Sequence, residues 1–137
     1  MKARSLFFIT CMIIFSSCEE GSEAFRDSLG IFRPKCKIIS LQKIDKKPGE
    51  FAKVVITVEN DEDGATAYDV GGKVHLKRDN VTIERDLLFF GTLRRGEAVR
   101  EEAWFSRIER HSEYDKCRIT LHWTDIEGRY YEREYSR

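Results

Sequence analysis

Cysteine and histidine are the side chains of this 137-residue chain best suited to nucleophilic or metal chemistry. Seven of them occur: Cys11, Cys18, Cys36, Cys117, His75, His111 and His122. Neither Cys36 nor Cys117 has a CxxC partner, and the sequence contains no HExxH, no GxSxG elbow and no Gly-rich phosphate loop. We therefore predict no catalytic residue, no metal ligand and no cofactor, and we interpret His75 and His122 as outward-facing strand residues.

Cys18 follows a segment that is typical of an export signal. Lys2 and Arg4 precede an apolar run over residues 6–15, and two serines separate that run from Cys18. The run is ten residues long, which is too short to span a bilayer core of about 30 Å. Residues 1–17 are therefore predicted to be a signal peptide, and Cys11 within them is interpreted as an apolar filler.

Small residues directly before a cysteine resemble the bacterial lipoprotein signal. Three places before the cysteine, where that signal usually has Leu, Val or Ile, this chain has Phe15. The resemblance implies cleavage after residue 17 and attachment of a diacylglyceryl group to Cys18. Several acyl chains would anchor the protein on the extracytoplasmic side of the cell membrane or outer membrane, because each buried methylene contributes about 0.8 kcal/mol. An ordinary cleaved signal and an uncleaved short anchor are the alternatives.

The charge balance of the mature chain excludes one class of partner. Residues 1–17 contain two of the 24 basic residues and no acid, so cleavage leaves 22 bases against 24 acids. A protein that binds nucleic acid in general shows a basic excess. We therefore expect no nucleic-acid partner, and about 120 mature residues suffice for a single core.

Two cysteines remain in the mature chain beyond the lipidated one. An oxidising space outside the cytosol favours pairing of Cys36 with Cys117, which would link the first strand to a late strand. Two free buried thiols are the alternative.

The body of the chain alternates apolar and polar residues with turn signals at short intervals. Residues 18–34 are interpreted as the lipidated cysteine and a tether, and residues 35–137 as one domain. The predicted strands are 35–44, 51–60, 66–78, 81–93, 97–108, 116–125 and 129–135. This pattern predicts an all-β fold, an antiparallel sandwich of about seven strands, with a small closed barrel as the alternative.

The segment from Val54 to Phe105 resembles the immunoglobulin-like modules of the CARDB and FxLYD kind. The similarity lies in the V-x-N triplet at 58–60 with the following Gly64, and in the F-G-T-L stretch at 90–93 followed by R-G-E at 95–97. It implies an immunoglobulin-like β-sandwich in an exported protein. Such modules serve as spacers or binding domains, so the resemblance implies no catalytic residues.

These observations predict a membrane-anchored, extracytoplasmic lipoprotein whose domain has a binding or structural role in the cell envelope, with an envelope protein or a glycan as partner. The alternatives are a carrier of a small ligand or metal, and a hydrolase with a site built from loops. Histidines and carboxylates that converge in a pocket would favour these alternatives. An exposed strand edge or aromatic patch would favour the binding module.

Overall fold

The computed structural model describes residues 33–137. The predicted signal peptide, the lipidation of Cys18 and the tether up to residue 32 lie outside these described residues. Their outcome therefore stays a prediction.

Residues 33–137 form seven strands and one short 3₁₀ turn at His111–Glu113. The strands are β1 (Cys36–Ile44), β2 (Ala52–Asn60), β3 (Ala67–Arg78), β4 (Val81–Leu93), β5 (Ala98–Phe105), β6 (Lys116–Thr124) and β7 (Tyr130–Ser136). Three form one antiparallel sheet in the order β1-β2-β5, and four form a second in the order β4-β3-β6-β7. The predicted all-β antiparallel sandwich is confirmed. In constant-type immunoglobulin domains the fourth strand belongs to the same sheet as the first, second and fifth strands. Here β4 belongs to the other sheet, where it pairs with β3.

The core lies between the two sheets and follows the alternation of the strands. Val54, Ile56 and Val58 of β2 are almost wholly buried, and they face the buried residues of β3 and β6. The run Leu-Leu-Phe-Phe at residues 87–90 is buried only at alternate positions. Leu88 and Phe90 are buried, whereas Leu87 and Phe89 are 66% and 68% exposed, because β4 keeps its period of two through the run.

The predicted disulfide is corrected by the structure, in which Cys36 and Cys117 are free, buried thiols. Cys36 lies at the end of the sandwich where the Trp123 indole donates to the Pro34 carbonyl. Cys117 lies six residues before Trp123 on β6, which corresponds to about 20 Å along a strand. A disulfide requires Cα atoms about 4.4–6.8 Å apart. Cys36 is the first residue of β1 and Cys117 the second of β6, and these strands run in opposite directions, so the thiols lie at opposite ends.

Strand β5 is an edge of the three-stranded sheet, and carboxylates of β4 cover it. Asp86 accepts a hydrogen bond of 2.9 Å from the Trp104 backbone N–H. Glu84 accepts the backbone N–H groups of Ser106 and Arg107, both at 2.8 Å. Because these backbone N–H groups already have acceptors, they are not available to pair with a strand of another chain. These contacts also join the two sheets on this side, and β5 ends at Phe105 rather than at the predicted residue 108.

Candidate functional site: an aromatic cleft on the three-stranded sheet

The histidines do not converge in the structure. His75 and His122 lie on the outer face of the four-stranded sheet, as predicted, and His111 lies in the 3₁₀ turn. Among residues 33–137, no three His, Cys, Asp or Glu side chains are grouped so that they would hold a metal ion.

His111 instead fixes a loop. Its Nε2 lies 3.0 Å from the carbonyl oxygens of both Ile44 and Lys53, and its Nδ1 lies 2.6 Å from the Tyr114 hydroxyl. Carbonyl oxygens only accept, so Nε2 carries a proton and donates to them. Burial raises the pKa of Tyr114. This network ties the loop before β6 to the end of the β1–β2 hairpin.

The two thiols are also unsuited to nucleophilic chemistry. Burial raises the pKa of the Cys36 thiol to about 12, against a smaller lowering by Arg133. Burial likewise raises the pKa of Cys117. The thiolate is the reactive form, so neither cysteine is a nucleophile near neutral pH.

The outer face of the three-stranded sheet carries a small concave site, which we call the aromatic cleft. It has a volume of about 270 Å³ and is lined by Gly49, Glu50, Phe51, Lys53 and Trp104. The centroids of the Phe51 and Trp104 rings lie 6.3 Å apart with their planes inclined by 42°. Both side chains are about half exposed, at 51% and 56%. Two ring faces are therefore open to solvent on the sides of one depression.

Local sequence explains how the two rings meet. Trp104 is directly opposite Lys53 in the pairing of β5 with β2. Phe51 immediately precedes β2 and follows a turn in which the Glu50 N–H donates to the Lys47 carbonyl at 2.9 Å. Gly49 in that turn has a φ of +78°, a conformation that glycine adopts without steric cost. The turn thereby places Phe51 beside Trp104.

Trp104 is held in place although it is exposed. Its indole N–H donates to Glu102 at 3.1 Å, and the Lys53 ammonium lies 3.6 Å from the same carboxylate oxygen. Its backbone N–H donates to Asp86. The hydrogen bond from the indole is the largest cause that holds the pKa of Glu102 below its ordinary value, and Lys53 adds to it. The ring is thus oriented before any ligand arrives, and such preorganisation lowers the entropic cost of binding.

The arrangement suits a small, uncharged ring that bears hydroxyl groups. Aromatic faces bind flat apolar surfaces, such as the C–H face of a pyranose. A lysine donates hydrogen bonds and a glutamate accepts them, so the Lys53–Glu102 pair offers both functions to adjacent hydroxyls without net charge. The volume lies just below the range of about 300–1,000 Å³ for drug-sized ligands, which favours one sugar ring over a larger molecule.

Sequence reasoning did not identify this cleft. Strand alternation alone puts Trp104 on the outward face of β5, where it is 56% exposed, but alternation does not associate the tryptophan with Phe51. The sequence did contain one signal, which is a large aromatic residue on the polar face of an alternating strand. Pairing across 53 residues, as between Phe51 and Trp104, depends on the register of β2 with β5, which the sequence pattern does not specify.

Comparison with known proteins adds no relative. No protein-family model matches the chain, and no curated protein sequence matches it significantly. Among residues 33–137, no helix has the length and apolar character that crossing a bilayer requires. The geometry of the cleft is therefore the basis on which a function is inferred.

Proposed function

We propose that this protein is a lipid-anchored, extracytoplasmic binding module that takes a sugar ring of an uncharged envelope glycan into the aromatic cleft. The observation that carries the proposal is the pair of half-exposed rings, one of them fixed by Glu102 and Lys53. An exposed tryptophan contributes large, rigid contact area at low entropic cost. The module carries out no reaction.

The anchor in this proposal derives from the N-terminal sequence. The apolar run over 6–15, the two serines and Cys18 support export and acylation. The resemblance of residues 54–105 to exported CARDB and FxLYD modules supports the same location and a binding role.

Glycan binding is tested with the full mature chain and two uncharged probes, cellotetraose and chitotetraose. The chain contains two tryptophans, and Trp123 is only 5% exposed, so a saturable change in fluorescence reports chiefly on Trp104 in the unaltered chain. Isothermal titration calorimetry, which needs no tryptophan, measures the affinity of the unaltered chain and of every variant. Trp104→Ala is expected to weaken binding at least about tenfold, as expected for loss of a central aromatic contact.

Phe89→Ala is the matched control, because Phe89 is at least as exposed as Trp104 but lies on the other sheet. Its affinity for the probes should equal that of the unaltered chain. Absence of saturable binding of both probes up to about 10 mM, near the weak limit of specific recognition, would contradict the proposed ligand. So would equal binding by the Trp104→Ala variant.

The anchor is tested separately by metabolic labelling with palmitate in a bacterial host. Cys18→Ser should abolish incorporation and release the protein from the membrane fraction. Cys11→Ser, a change within the predicted signal peptide, should leave both unchanged. Incorporation that survives Cys18→Ser would refute acylation at this residue.

A further inference from the structure

The outer face of the four-stranded sheet has a different composition from the cleft, and we call it the basic face. Its register places three rows of residues across β4, β3, β6 and β7: Phe89, Gly71, His122 and Glu132; then Leu87, Lys73, Thr120 and Glu134; then Arg85, His75, Arg118 and Ser136. Lys77 and Lys116 are paired at one end of the face, and Tyr130 lies at the other.

Positive charge predominates on this face. Five cations face outward: Lys73, Lys77, Arg85, Lys116 and Arg118. Two acids, Glu132 and Glu134, lie on β7 at the far edge, and Glu134 is paired with Arg118 at 2.5 Å. His75 lies among the cations, and its pKa is lowered by burial first and then by Arg85, Lys77, Arg118 and Lys73.

The acids that neighbour these cations in sequence do not neutralise them on the surface. Glu84 and Asp86 flank Arg85 in the chain, but their carboxylates accept backbone N–H groups of the segment from Trp104 to Arg107. Strand alternation therefore sends Arg85 outward and both acids to the side of the sandwich. Along the sequence the two signs of charge are balanced, whereas on this face five cations outnumber two acids.

Large apolar side chains lie beside the cations. Leu87 is directly opposite Lys73, and Phe89 is directly opposite Gly71. Both are about two-thirds exposed, and Tyr130 is 60% exposed. The Tyr130 ring stacks on His122 at 6.0 Å. Apolar groups flanked by lysine and arginine are the composition that binds the interface of an anionic bilayer.

The described chain begins on the core side of the four-stranded sheet, at the end of the sandwich where Tyr130 lies. Pro34 accepts a hydrogen bond from the Trp123 indole, and Trp123 adjoins His122 and pairs with Tyr131 on β7. Fourteen residues lie between Cys18 and Arg33, and a chain of that length reaches at most about 50 Å. An anchor at Cys18 therefore permits the basic face to touch the bilayer.

We propose that the basic face docks on an anionic lipid bilayer through Leu87 and Phe89, with Lys73 and Arg85 contacting the headgroups. This orientation leaves the aromatic cleft, on the opposite sheet, directed away from the membrane. The proposal rests on the proposed function only in placing the protein at a membrane.

The test separates docking from acylation by using the full mature chain with Cys18→Ser. Binding is measured by co-sedimentation with vesicles of phosphatidylcholine and phosphatidylglycerol in a ratio of about 7:3, and with phosphatidylcholine alone. We expect at least about tenfold stronger binding to the anionic vesicles, which falls as salt is raised. The double variant Lys73→Glu, Arg85→Glu should lose at least about tenfold, and Leu87→Ser with Phe89→Ser should also weaken binding.

Lys46→Glu with Lys47→Glu is the matched control, because it makes the same change in net charge on the β1–β2 hairpin of the other sheet. This control should retain most of the binding. Equal binding to both kinds of vesicle, or equal losses in the control and in the Lys73, Arg85 variant, would overturn the proposal. If the basic face binds an acidic protein rather than lipid, binding to the two kinds of vesicle should be equal. Should the double reversal not fold, Lys73→Gln and Arg85→Gln singly provide the same comparison.

The outcome is distinguishable from that of the proposed function. Vesicle binding by the Cys18→Ser chain does not require the acyl group, and the oligosaccharide titration does not require a membrane. Failure of docking leaves the cleft and the anchor untouched, and failure of palmitate incorporation leaves the docking measurement intact.

Discussion

The two outer faces of the sandwich both expose aromatic side chains, but they hold them differently. On the three-stranded sheet, Phe51 and Trp104 line a depression, and Trp104 is held by Glu102 and Asp86. On the four-stranded sheet, Leu87 and Phe89 lie on a sheet surface among cations. A fixed ring in a depression favours recognition of one small ligand, whereas an apolar and basic surface favours a broad, charged one. The difference indicates that exposure alone does not define a site, and that the polar neighbours decide what each face binds.

The largest expected effect concerns the strand that defines the basic face. Leu88 is 8% exposed and its neighbour Leu87 is 66% exposed. Leu88→Ala should lower the free energy of unfolding by about 2–4 kcal/mol, because it leaves a cavity. Leu87→Ala should change it by less than about 0.5 kcal/mol. Urea denaturation of both variants measures the difference, and similar losses would mean that β4 does not present Leu87 to solvent.

Gly71 lies at the centre of the basic face, and its substitution tests how closely this face is packed. A Cβ at this position would lie 2.7 Å from Cε1 of His122 and 3.2 Å from the Leu88 carbonyl oxygen. Gly71→Ala should therefore cost about 1–3 kcal/mol and displace the His122 ring from Tyr130. In a His122→Ala background the cost should fall, and a double-mutant cycle in urea measures the coupling. Additive effects would contradict the close packing of the ring on this glycine.

Lys53→Met isolates the polar part of the aromatic cleft. Exposed ion pairs contribute little to folding, so the free energy of unfolding should change by less than about 0.5 kcal/mol. Affinity for the oligosaccharide that binds should fall about two- to tenfold, as expected for one lost hydrogen bond of about 0.5–1.5 kcal/mol. Lys43→Met, outside the cleft, should leave the titration unchanged. An unaltered affinity of the Lys53→Met variant would mean that the Lys53–Glu102 ion pair takes no part in binding the oligosaccharide.

The smallest expected effect is a change with pH in the hydrogen bond of the Trp104 indole. The pKa of Glu102 in the folded protein lies below its ordinary value of 4.5, chiefly because of the Trp104 indole hydrogen bond. A lowered pKa means that the contribution is fully present above the unfolded-state pKa and is lost as the pH falls through the folded-state pKa. The indole N–H signal of Trp104 in NMR spectra should therefore shift below about pH 4.5, and not between pH 5 and 8. Glu102→Gln should abolish that transition, and its persistence would assign it to another acid.

Most of the fold was predictable from the sequence because strand alternation is a local property. The boundaries of β2, β3 and β4 differ from the prediction by at most one residue. The outward position of Trp104 also follows from alternation. These features depend on neighbours in the chain.

The features that sequence reasoning missed depend on how strands pair. The Cys36–Cys117 disulfide was predicted from compartment and count, but the opposed directions of β1 and β6 separate the thiols. In the sequence Glu84 and Asp86 flank Arg85, and only their contacts with the backbone from Trp104 to Ser106 show that they do not lie on the basic face. The aromatic cleft likewise required the β2–β5 register.

The measurement that tests the division between the two faces most directly is paramagnetic relaxation from spin-labelled lipid headgroups. The full mature chain, acylated at Cys18, is bound to bilayers that contain about 30% phosphatidylglycerol, and the NMR signals of both faces are compared. The account predicts strong attenuation at Leu87 and Phe89 and little at Phe51 and Trp104, whose signals should still shift when chitotetraose or cellotetraose is added. Equal attenuation on both faces, or attenuation confined to Phe51 and Trp104, would contradict it.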